Sequence, residues 1–299
     1  MKKIKEESVG GDREVEGRVK GNKDMFDAIS PFDFRYYGRD EKAKRELGPY
    51  LSERAFIVYQ LRVECALVKV LADRGICNQS VYREVKHAAG EITPEEVYAE
   101  EDKIHHNIRA LVNCIQKRVS YAAKPFVHLT ATSYDIIENA NAARYRDAAC
   151  AAVIPELCKL MDALIALALR EKNTLQAGRT HGQHAEPITF GFTVSGYVAR
   201  LGDRIEALQR AASSLRGKFS GAVGAYNASA LFFSDPEGFE KDVLKELGLE
   251  PCMQSSQVAQ AEYLTDFVHA VVSCFSVLAN IADDMRHLQR SEINEIAEV

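Results

Sequence analysis

Residues 257–293 read QVAQAEYLTDFVHAVVSCFSVLANIADDMRHLQRSEI and contain neither glycine nor proline. Apolar side chains recur along this stretch at spacings of three and four residues, which place them on one face of an α-helix. They are Leu264, Phe267, Val271, Cys274, Leu278, Ile281, Met285 and Leu288. At a rise of ~1.5 Å per residue the predicted helix is roughly 50 Å long, which exceeds the length of an ordinary globular helix.

Two further segments predict long helices. One runs from Ile136 to Arg170, and the other begins at Pro187 and continues to about residue 216. The apolar positions of the second are Phe190, Val194, Tyr197, Leu201, Ile205, Leu208 and Leu215. These positions are too numerous for a two-stranded coiled coil, so several long helices must bury their stripes against one another. The sequence therefore predicts an all-α fold, an elongated bundle of long helices.

Strand signals are scarce and are confined to short pieces. Leu231-Phe232-Phe233 is one such piece, and it precedes a helix start at Ser234-Asp235-Pro236-Glu237. In the first half of the chain, Thr93-Pro94-Glu95-Glu96 joins a capping box to a proline at the first helical position. The stripe of the helix that follows is Val97, Ile104, Ile108, Leu111 and Ile115. This helix passes through the His105-His106 pair.

We expect three regions along the chain. Residues 1–24 are charged and predict a disordered arm, residues 25–125 predict a smaller helical N-terminal domain, and residues 126–299 predict the long-helix bundle. The boundary lies at a loop near Lys124-Pro125. No glycine or proline stop signal occurs in residues 290–299, so we expect the bundle domain to be incomplete at its C-terminal end.

Composition excludes several classes of protein. The net charge of -5 gives no basic surface for nucleic acid or for an anionic membrane. The seven cysteines are widely spread and include no CxxC pair, which favours reduced core thiols of a cytoplasmic protein over a metal or disulfide framework. Residues 1–24 contain no apolar run and predict neither a signal peptide nor a membrane anchor.

Polar side chains are concentrated in residues 178–191, GRTHGQHAEPITFG. Gly182 and Pro187 favour a turn that enters a helix. His181 and His184 are three residues apart and could ligate a metal, but they have no further ligand nearby and no HExxH pattern. They could also cap a helix or line a polar pocket, or serve in acid–base chemistry. The residue types alone leave these alternatives open.

A second polar cluster, HLTATSYD, covers residues 128–135 and precedes the helix predicted from Ile136. Thr132 or Ser133 is a good N-cap, and the same geometry presents N–H groups and hydroxyls to a carboxylate or phosphate. His106 lies about 160 to 200 degrees from the apolar stripe of its predicted helix, so it faces solvent or a second surface.

Two other segments carry weaker signals. SGAVGAY, residues 220–226, matches neither a Walker loop nor GxGxxG, and its simplest interpretation is a tight turn between helices. Arg35, in the sequence Arg35-Tyr36-Tyr37, could bind a phosphate through its guanidinium fork or form a surface salt bridge.

Together these segments resemble adenylosuccinate lyases of the fumarase/aspartase superfamily, from about Ile29 to Val299. The resemblance is carried by the order and spacing of SPFDFRYYG, HHNIRAL, TATSYD, GRTHGQHAEPITFG, KFSGAVGAY and SSQ. It implies β-elimination of fumarate from adenylosuccinate to give AMP, and from the purine-pathway ribotide SAICAR to give AICAR. It implies no metal and no cofactor. It also implies a homotetramer whose active sites draw residues from three chains.

The resemblance implies roles for particular residues. His181 is expected to be the general acid that protonates the departing nitrogen, and His106 the second catalytic histidine, in contact with substrate. Substrate-binding roles are implied for Arg35 and Tyr36 on the phosphate, Thr132 and Ser133 on the succinyl carboxylate, and His105, Asn107, Thr180 and Gln257 elsewhere in the pocket. His184 is left as a structural residue.

The sequence also departs from the family pattern. Asn107 stands where aspartate is usual, His105 where arginine is common, and Thr130 where a glycine usually precedes Ala-Thr-Ser. The family's mobile loop, S-S-x-M-P-x-K-x-N, supplies the serine base and does not occur in these residues. We therefore expect the 299-residue chain to be inactive by itself. The alternatives are another lyase or cycloisomerase of the superfamily, or a non-catalytic structural homologue.

Overall fold

The computed structural model describes Ile29 and residues 40–297. Arg35, Tyr36 and the arm predicted for residues 1–24 lie outside the described residues. Within residues 40–297 helices predominate and strands are few and short, which confirms the all-α fold class. The helices are α1 (Glu41–Leu51), α2 (Glu53–Asp73), α3 (Gln79–Glu91), α4 (Pro94–Ile104), α5 (Asn107–Gln116), α6 (Ser133–Ala148), α7 (Ile154–Arg170), α8 (Phe190–Ser213), α9 (Pro236–Glu246) and α10 (Ala261–Leu288).

The strands form two small two-stranded sheets. β1 (Leu175–Thr180) pairs with β2 (Gln183–Thr189) in an antiparallel hairpin between α7 and α8. β3 (Arg216–Gly217) pairs in parallel with β4 (Glu250–Pro251). The segment 231–233 is not extended as predicted, because Ser229–Leu231 forms a 3-10 turn. Phe233 after this turn is buried, and its ring stacks on that of Phe239 with centroids 4.2 Å apart.

The long helices match the sequence periodicity closely. α6 and α7 are joined by a π-helical turn at Ala149–Val153, so the helical run predicted to Arg170 is continuous. α8 packs against both α7 and α10. The 28-residue α10 ends at Leu288, although the prediction extended to about residue 293. In the first half, α2 packs against α3, α6 and α9, and its buried side chains join one core with those of α8 and α10.

The start of α8 passes very close to α7. A Cβ atom at Gly191 would lie 2.7 Å from the Cα atom of Lys172 and would also meet the carbonyl oxygen of Ala168. Only glycine therefore lets the chain leave the hairpin at this distance from α7. This crossing fixes the direction in which the hairpin projects.

Part of α10 is apolar but exposed. By length and composition the segment Glu262–Leu288 is apolar enough to cross a membrane. Only 22% of its most apolar window is buried by the rest of the described chain. The exposed apolar side chains of this face are Leu264, Val268, Val271, Val272 and Phe275. A contiguous apolar face of this kind marks an interaction surface.

The cysteines are all free thiols. Cys114, Cys252 and Cys274 are buried as expected, whereas Cys150 lies in the π-helical turn and is exposed. The expectation of core thiols is therefore wrong for Cys150.

Candidate active site

His181 lies at the tip of the β1–β2 hairpin. Thr180 pairs with Gln183, so His181 and Gly182 form a two-residue loop, and their φ angles are 55° and 72°. Positive φ at both central residues is the signature of a type I′ turn, whose twist matches the flanking strands. The segment is therefore a hairpin, and the prediction that Pro187 opens a helix is wrong. Pro187 pairs with Ala177 inside β2, and α8 begins at Phe190.

The base of the hairpin is tied to the end of the bundle. Arg179 forms an ion pair with Glu295, and the Gln176 amide donates to a Glu295 carboxylate oxygen at 3.0 Å. The hydrogen bond from the Arg179 guanidinium lowers the pKa of Glu295. The Thr193 hydroxyl of α8 donates in turn to Gln176 at 2.7 Å. Glu295 thus holds β1 at Gln176 near the base of the hairpin and at Arg179 near its turn, while the turn itself is exposed.

The hairpin tip itself is exposed. Thr180, His181 and Gly182 are all accessible, and within residues 40–297 the His181 side chain makes no hydrogen bond or ion pair. A non-glycine residue in the left-handed region costs about 1–2 kcal/mol. Strained backbone is concentrated at functional sites in proteins, so the tip is a candidate position for chemistry. His184 lies in β2, close enough to Glu295 to help lower the pKa of that carboxyl.

The His105-His106 pair breaks the helix that was predicted to pass through it. His105 takes a left-handed conformation (φ 55°) as the C-cap of α4, and its N–H donates to the Glu101 carbonyl at 2.7 Å. His106 is the N-cap of α5, where its Nδ1 accepts from the Arg109 N–H at 3.2 Å. In the neutral ring the proton is therefore on Nε2. The break is invisible in the apolar stripe because α5 resumes the same face after two residues.

An open cavity of about 480 Å³ adjoins this break. His105 and Asn107 line it, together with Gln60, Glu53 and Tyr98. All three residues of the 105–107 segment are exposed, which agrees with the prediction that His106 faces solvent or a second surface.

Thr132 is the N-cap of α6, as the sequence predicted. Its N–H donates to Asp135 Oδ2 at 2.8 Å, which closes one half of a capping box. Thr132 and Ser133 are both half-buried, and neither hydroxyl donates a hydrogen bond to any residue that the structure describes. Two hydroxyl donors at a helix N-terminus suit a carboxylate ligand.

His128 is a site residue that the sequence interpretation quoted without assigning it a role. The His128 Nδ1 lies 2.6 Å from Glu64 Oε1, and the main-chain N–H of His128 donates to Glu64 Oε2 at 3.1 Å. Burial by itself lowers the pKa of His128, but the carboxylate of the fully buried Glu64 outweighs this effect and raises it above the ordinary value. The available signal was a glutamate within the apolar run of α2, since a buried carboxylate requires a partner.

The loop from His128 to Thr132 is strained at two positions. His128 has a φ of 63° and Thr130 a φ of 68°. The Thr130 hydroxyl is also buried and has no hydrogen-bond partner among the described residues. The positive φ gives a physical reason for the glycine that is usual at this position in the family that the sequence resembles.

The Lys218 side chain connects the main chain of Gln257 to the first turn of α6. The Lys218 ammonium lies 2.7 Å from Asp135 Oδ1 and donates to the Gln257 carbonyl at 2.9 Å. His128 is close enough to Asp135 to have its pKa raised by that carboxylate. The start of α6 therefore gathers Thr132, Ser133, His128 and the Gln257 main chain, a group that we call the α6 cluster.

The hairpin tip is not joined to this region by any hydrogen bond or ion pair of residues 40–297. The described site residues thus lie in three places, the α6 cluster, the His105–Asn107 break between α4 and α5, and the Thr180-His181 tip. Among the described residues no group of three or more His, Cys, Asp or Glu side chains is arranged to hold a metal ion.

Comparison with known proteins gives a consistent result. Residues 25–299 match the family described as Lyase. The adenylosuccinate lyase of Archaeoglobus fulgidus is 33% identical over 271 residues, which cover 90% of this chain and 58% of that protein. The adenylosuccinate lyase of Pyrococcus abyssi is 33% identical over 274 residues, covering 91% of this chain and 58% of that protein. The chain thus spans less than two thirds of the length of these relatives.

Solved structures share the fold. A fumarate lyase from Mesorhizobium superposes with a TM-score of 0.76 at 24% identity, covering 87% of this chain and 60% of that chain. The 3-carboxy-cis,cis-muconate lactonizing enzyme of Pseudomonas putida superposes with a TM-score of 0.74 at 25% identity, covering 81% of this chain and 55% of that chain.

Proposed function

The chain belongs to the lyase family of the fumarase/aspartase superfamily, and on this premise we propose that its protein is an adenylosuccinate lyase. The proposed reaction is β-elimination of fumarate from adenylosuccinate and from SAICAR. The proposal includes a cytoplasmic homotetramer with shared active sites, no cofactor, and the division of the chain into a helical domain at 25–125 and a bundle at 126–299. The similarity to the two archaeal adenylosuccinate lyases favours this substrate class over others in the superfamily.

The proposed chemistry needs a base, an anion site and an acid. A base removes the proton next to a carboxylate, and the resulting carbanion is stabilised by fixed donors. The hydroxyls of Thr132 and Ser133 are suited to that carboxylate, and the Gln257 main chain is joined to the same end of α6 through Lys218 and Asp135. An acid must then protonate the departing nitrogen, because the amine is otherwise a poor leaving group. His181 is assigned this step, and His106 a contact with substrate.

The observation that carries the proposal is the position of His181. Its imidazole sits at the exposed tip of a hairpin whose base is fixed, with no partner of its own in the described part of the chain. A proton donor placed in this way is available to a cleft on a neighbouring subunit. This arrangement supports active sites assembled from several chains, with the α6 cluster of one subunit facing the hairpin tip of another.

The test is turnover by the full-length protein that contains these residues. We expect release of fumarate from adenylosuccinate and SAICAR, no release of fumarate from argininosuccinate, and no lactonisation of carboxymuconate. Activity confined to carboxymuconate would favour a cycloisomerase, which the likeness to the Pseudomonas putida enzyme keeps as the second candidate. Absence of turnover with the whole panel would favour a non-catalytic homologue. A polypeptide of these 299 residues alone is expected to be inactive, because no S-S-x-M-P segment occurs in them to supply the serine base.

A further inference from the structure

Lys218 and Asp135 form a buried ion pair beside the α6 cluster. Both side chains are 0% exposed, and the ammonium lies 2.7 Å from Asp135 Oδ1. Lys218 directly follows β3, and Asp135 is in the first turn of α6. Neither residue has a role in the chemistry proposed above.

The Lys218 ammonium uses all its donors on three different segments. It meets Asp135 of α6, and it donates to the carbonyl of Gly221 in the glycine-rich turn and to the carbonyl of Gln257, both at 2.9 Å. An ammonium has three protons, so each is taken by one acceptor. The geometry of this single group therefore fixes the separation of the three segments.

The Lys218 main chain is fixed as well. The side-chain amide of the buried Asn139 accepts from the Lys218 N–H at 2.9 Å and donates to the Lys218 carbonyl at 2.7 Å. On the other side, Glu240 accepts from the N–H of Phe219 and, at 2.6 Å, from the Tyr226 hydroxyl. The main chain at Lys218 therefore cannot move without breaking buried hydrogen bonds, and this fixes the position of the ammonium.

Asp135 extends the link to the residues assigned to the succinyl carboxylate. Its Oδ2 accepts from the Thr132 N–H at 2.8 Å, and its Oδ1 accepts from the Gly221 N–H at 3.3 Å in addition to the ammonium. A continuous chain of contacts thus runs from Thr132 through Asp135 and Lys218 to Gln257.

Stability alone is a weak explanation for this pair. Taking two charges out of water is costly, and well-packed apolar side chains of similar volume often stabilise a fold equally well. The pair instead joins the N-cap of α6 to the segment that carries Gln257. We propose that Lys218 is a positioning residue, which holds Gln257 at a fixed distance from the hydroxyls of Thr132 and Ser133 so that one substrate contacts all three. This inference rests on the proposed function for those three residues.

The test compares the full-length protein with the double variant Lys218→Met/Asp135→Asn. Lys218→Met alone would leave an unpaired carboxylate in the interior and could prevent folding. The double variant removes both charges, and an asparagine side chain keeps an oxygen for the Thr132 N–H. We expect KM for adenylosuccinate to rise about 10–100-fold through loss of positioning, with a smaller change in kcat. A purely structural role would reduce the amount of folded protein and leave the KM of the protein that does fold unchanged.

Hydrogen exchange provides a readout that does not depend on turnover. In the double variant we expect amides of residues 220–226 and 253–259 to lose protection, while those of α2 and α8 keep theirs. Lys69→Met is the matched control, because the Lys69 ammonium also joins two carboxylates, Asp73 and Glu246, but is partly exposed. It should leave KM within about twofold of the parent.

Two outcomes overturn the inference. One is unchanged protection of both segments in a folded double variant, and the other is loss of protection with KM unaltered. If the parent releases no fumarate from the purine substrates, the proposed function fails separately. The exchange comparison then still decides whether Lys218 fixes the two segments.

Discussion

His181 combines an unusual backbone with a side chain that makes no hydrogen bond or ion pair to residues 40–297. Its φ of 55° belongs to a type I′ turn, in which asparagine followed by glycine is the preferred pair. His181→Asn should therefore keep or strengthen the hairpin while it removes the imidazole. In the full-length protein we expect kcat to fall about 10²–10⁴-fold, the usual contribution of a general acid. Steady-state release of fumarate from adenylosuccinate measures this.

His184→Asn is the control for that experiment. His184 lies on the same hairpin and near Glu295, but outside the left-handed turn. We expect its replacement to change kcat only slightly. Equal losses in both variants would mean that the hairpin matters as a whole, and the assignment of the acid to His181 would fail.

His128 predicts a pH dependence of stability. Glu64 from α2 and Asp135 from α6 favour its charged form, while burial and Arg109 from α5 oppose it, and the net pKa is raised. A raised pKa in the folded state gives stabilisation that is fully present below the unfolded value of about 6.5. This stabilisation is lost as the pH rises through the folded pKa. A hydrogen bond to a charged group contributes about 1.5–3 kcal/mol, which sets the expected size.

The measurement is urea unfolding of the parent and of His128→Asn at intervals between about pH 6 and pH 9. Asparagine tolerates the positive φ at this position, and its amide supplies a hydrogen-bond donor in place of the imidazole beside the buried Glu64, whose hydrogen bond from the main-chain N–H of residue 128 is kept. We expect the difference in unfolding free energy to be largest at the acidic end and to shrink as the pH rises. A difference that is constant across this range would show that the pKa of His128 is not raised in the folded state.

At the scale of single elements, local signals in the sequence predicted most of the structure. The N-cap at Thr132, the capped start at Thr93-Pro94 and the long stripes of α8 and α10 all depend on residues within a few positions of one another. At the N-caps, a hydroxyl accepts from main-chain N–H groups that have no partner within the helix. In the long helices, apolar residues repeat with the helical period and form one face. Such features can be predicted without knowing the tertiary structure.

The elements that were predicted wrongly depend on backbone conformation or on distant partners. The turn at His181-Gly182 gave only half of the usual Asn-Gly signal, and Pro187 in β2 imitates a helix start. The break at His105 requires a left-handed residue, which histidine adopts only at a cost. At the site, the pairing of His128 with Glu64 joins residues 64 positions apart, so no spacing rule could have predicted it.

The crossing of α7 and α8 gives a prediction at this scale. A methyl group at Gly191 would collide with the backbone of Lys172 and Ala168, which cannot move independently of α7. We expect Gly191→Ala to lower the free energy of unfolding by roughly 1–3 kcal/mol, the usual effect of overpacking. Urea unfolding followed by circular dichroism measures the change.

Gly202 of the same helix is the matched control. A Cβ atom there would meet only the Met161 sulfur, at an ordinary van der Waals distance of 3.8 Å. Gly202→Ala should therefore stabilise α8 by roughly 0.5–1 kcal/mol through the higher helix propensity of alanine. If both substitutions had the same sign, the close approach of α7 to the start of α8 would not be the cause.

At the scale of the whole molecule, the bundle leaves α10, the longest helix of residues 40–297, incompletely covered. α8 covers one side of α10, and the opposite side exposes apolar side chains along several turns. An exposed apolar face of this extent marks a surface for further residues of the same polypeptide, for another chain or for lipid. Under the proposed function, in which active sites are shared between chains, other subunits are the expected cover.

Phe275 is the most exposed large apolar residue of this face, at 67%. In the full-length protein we expect Phe275→Asp to convert the proposed tetramer to smaller species, because four copies of a buried, unpaired carboxylate would oppose assembly. Fumarate release should fall with it, since His181 would no longer reach the cleft of a neighbouring chain. Light scattering coupled to size-exclusion chromatography in the absence of detergent measures the mass.

Leu231→Asp is the control, because Leu231 is 82% exposed on a 3-10 turn outside α10. An unchanged mass for Phe275→Asp, or a parent that remains soluble only in detergent, would show that the apolar face of α10 does not bind other subunits.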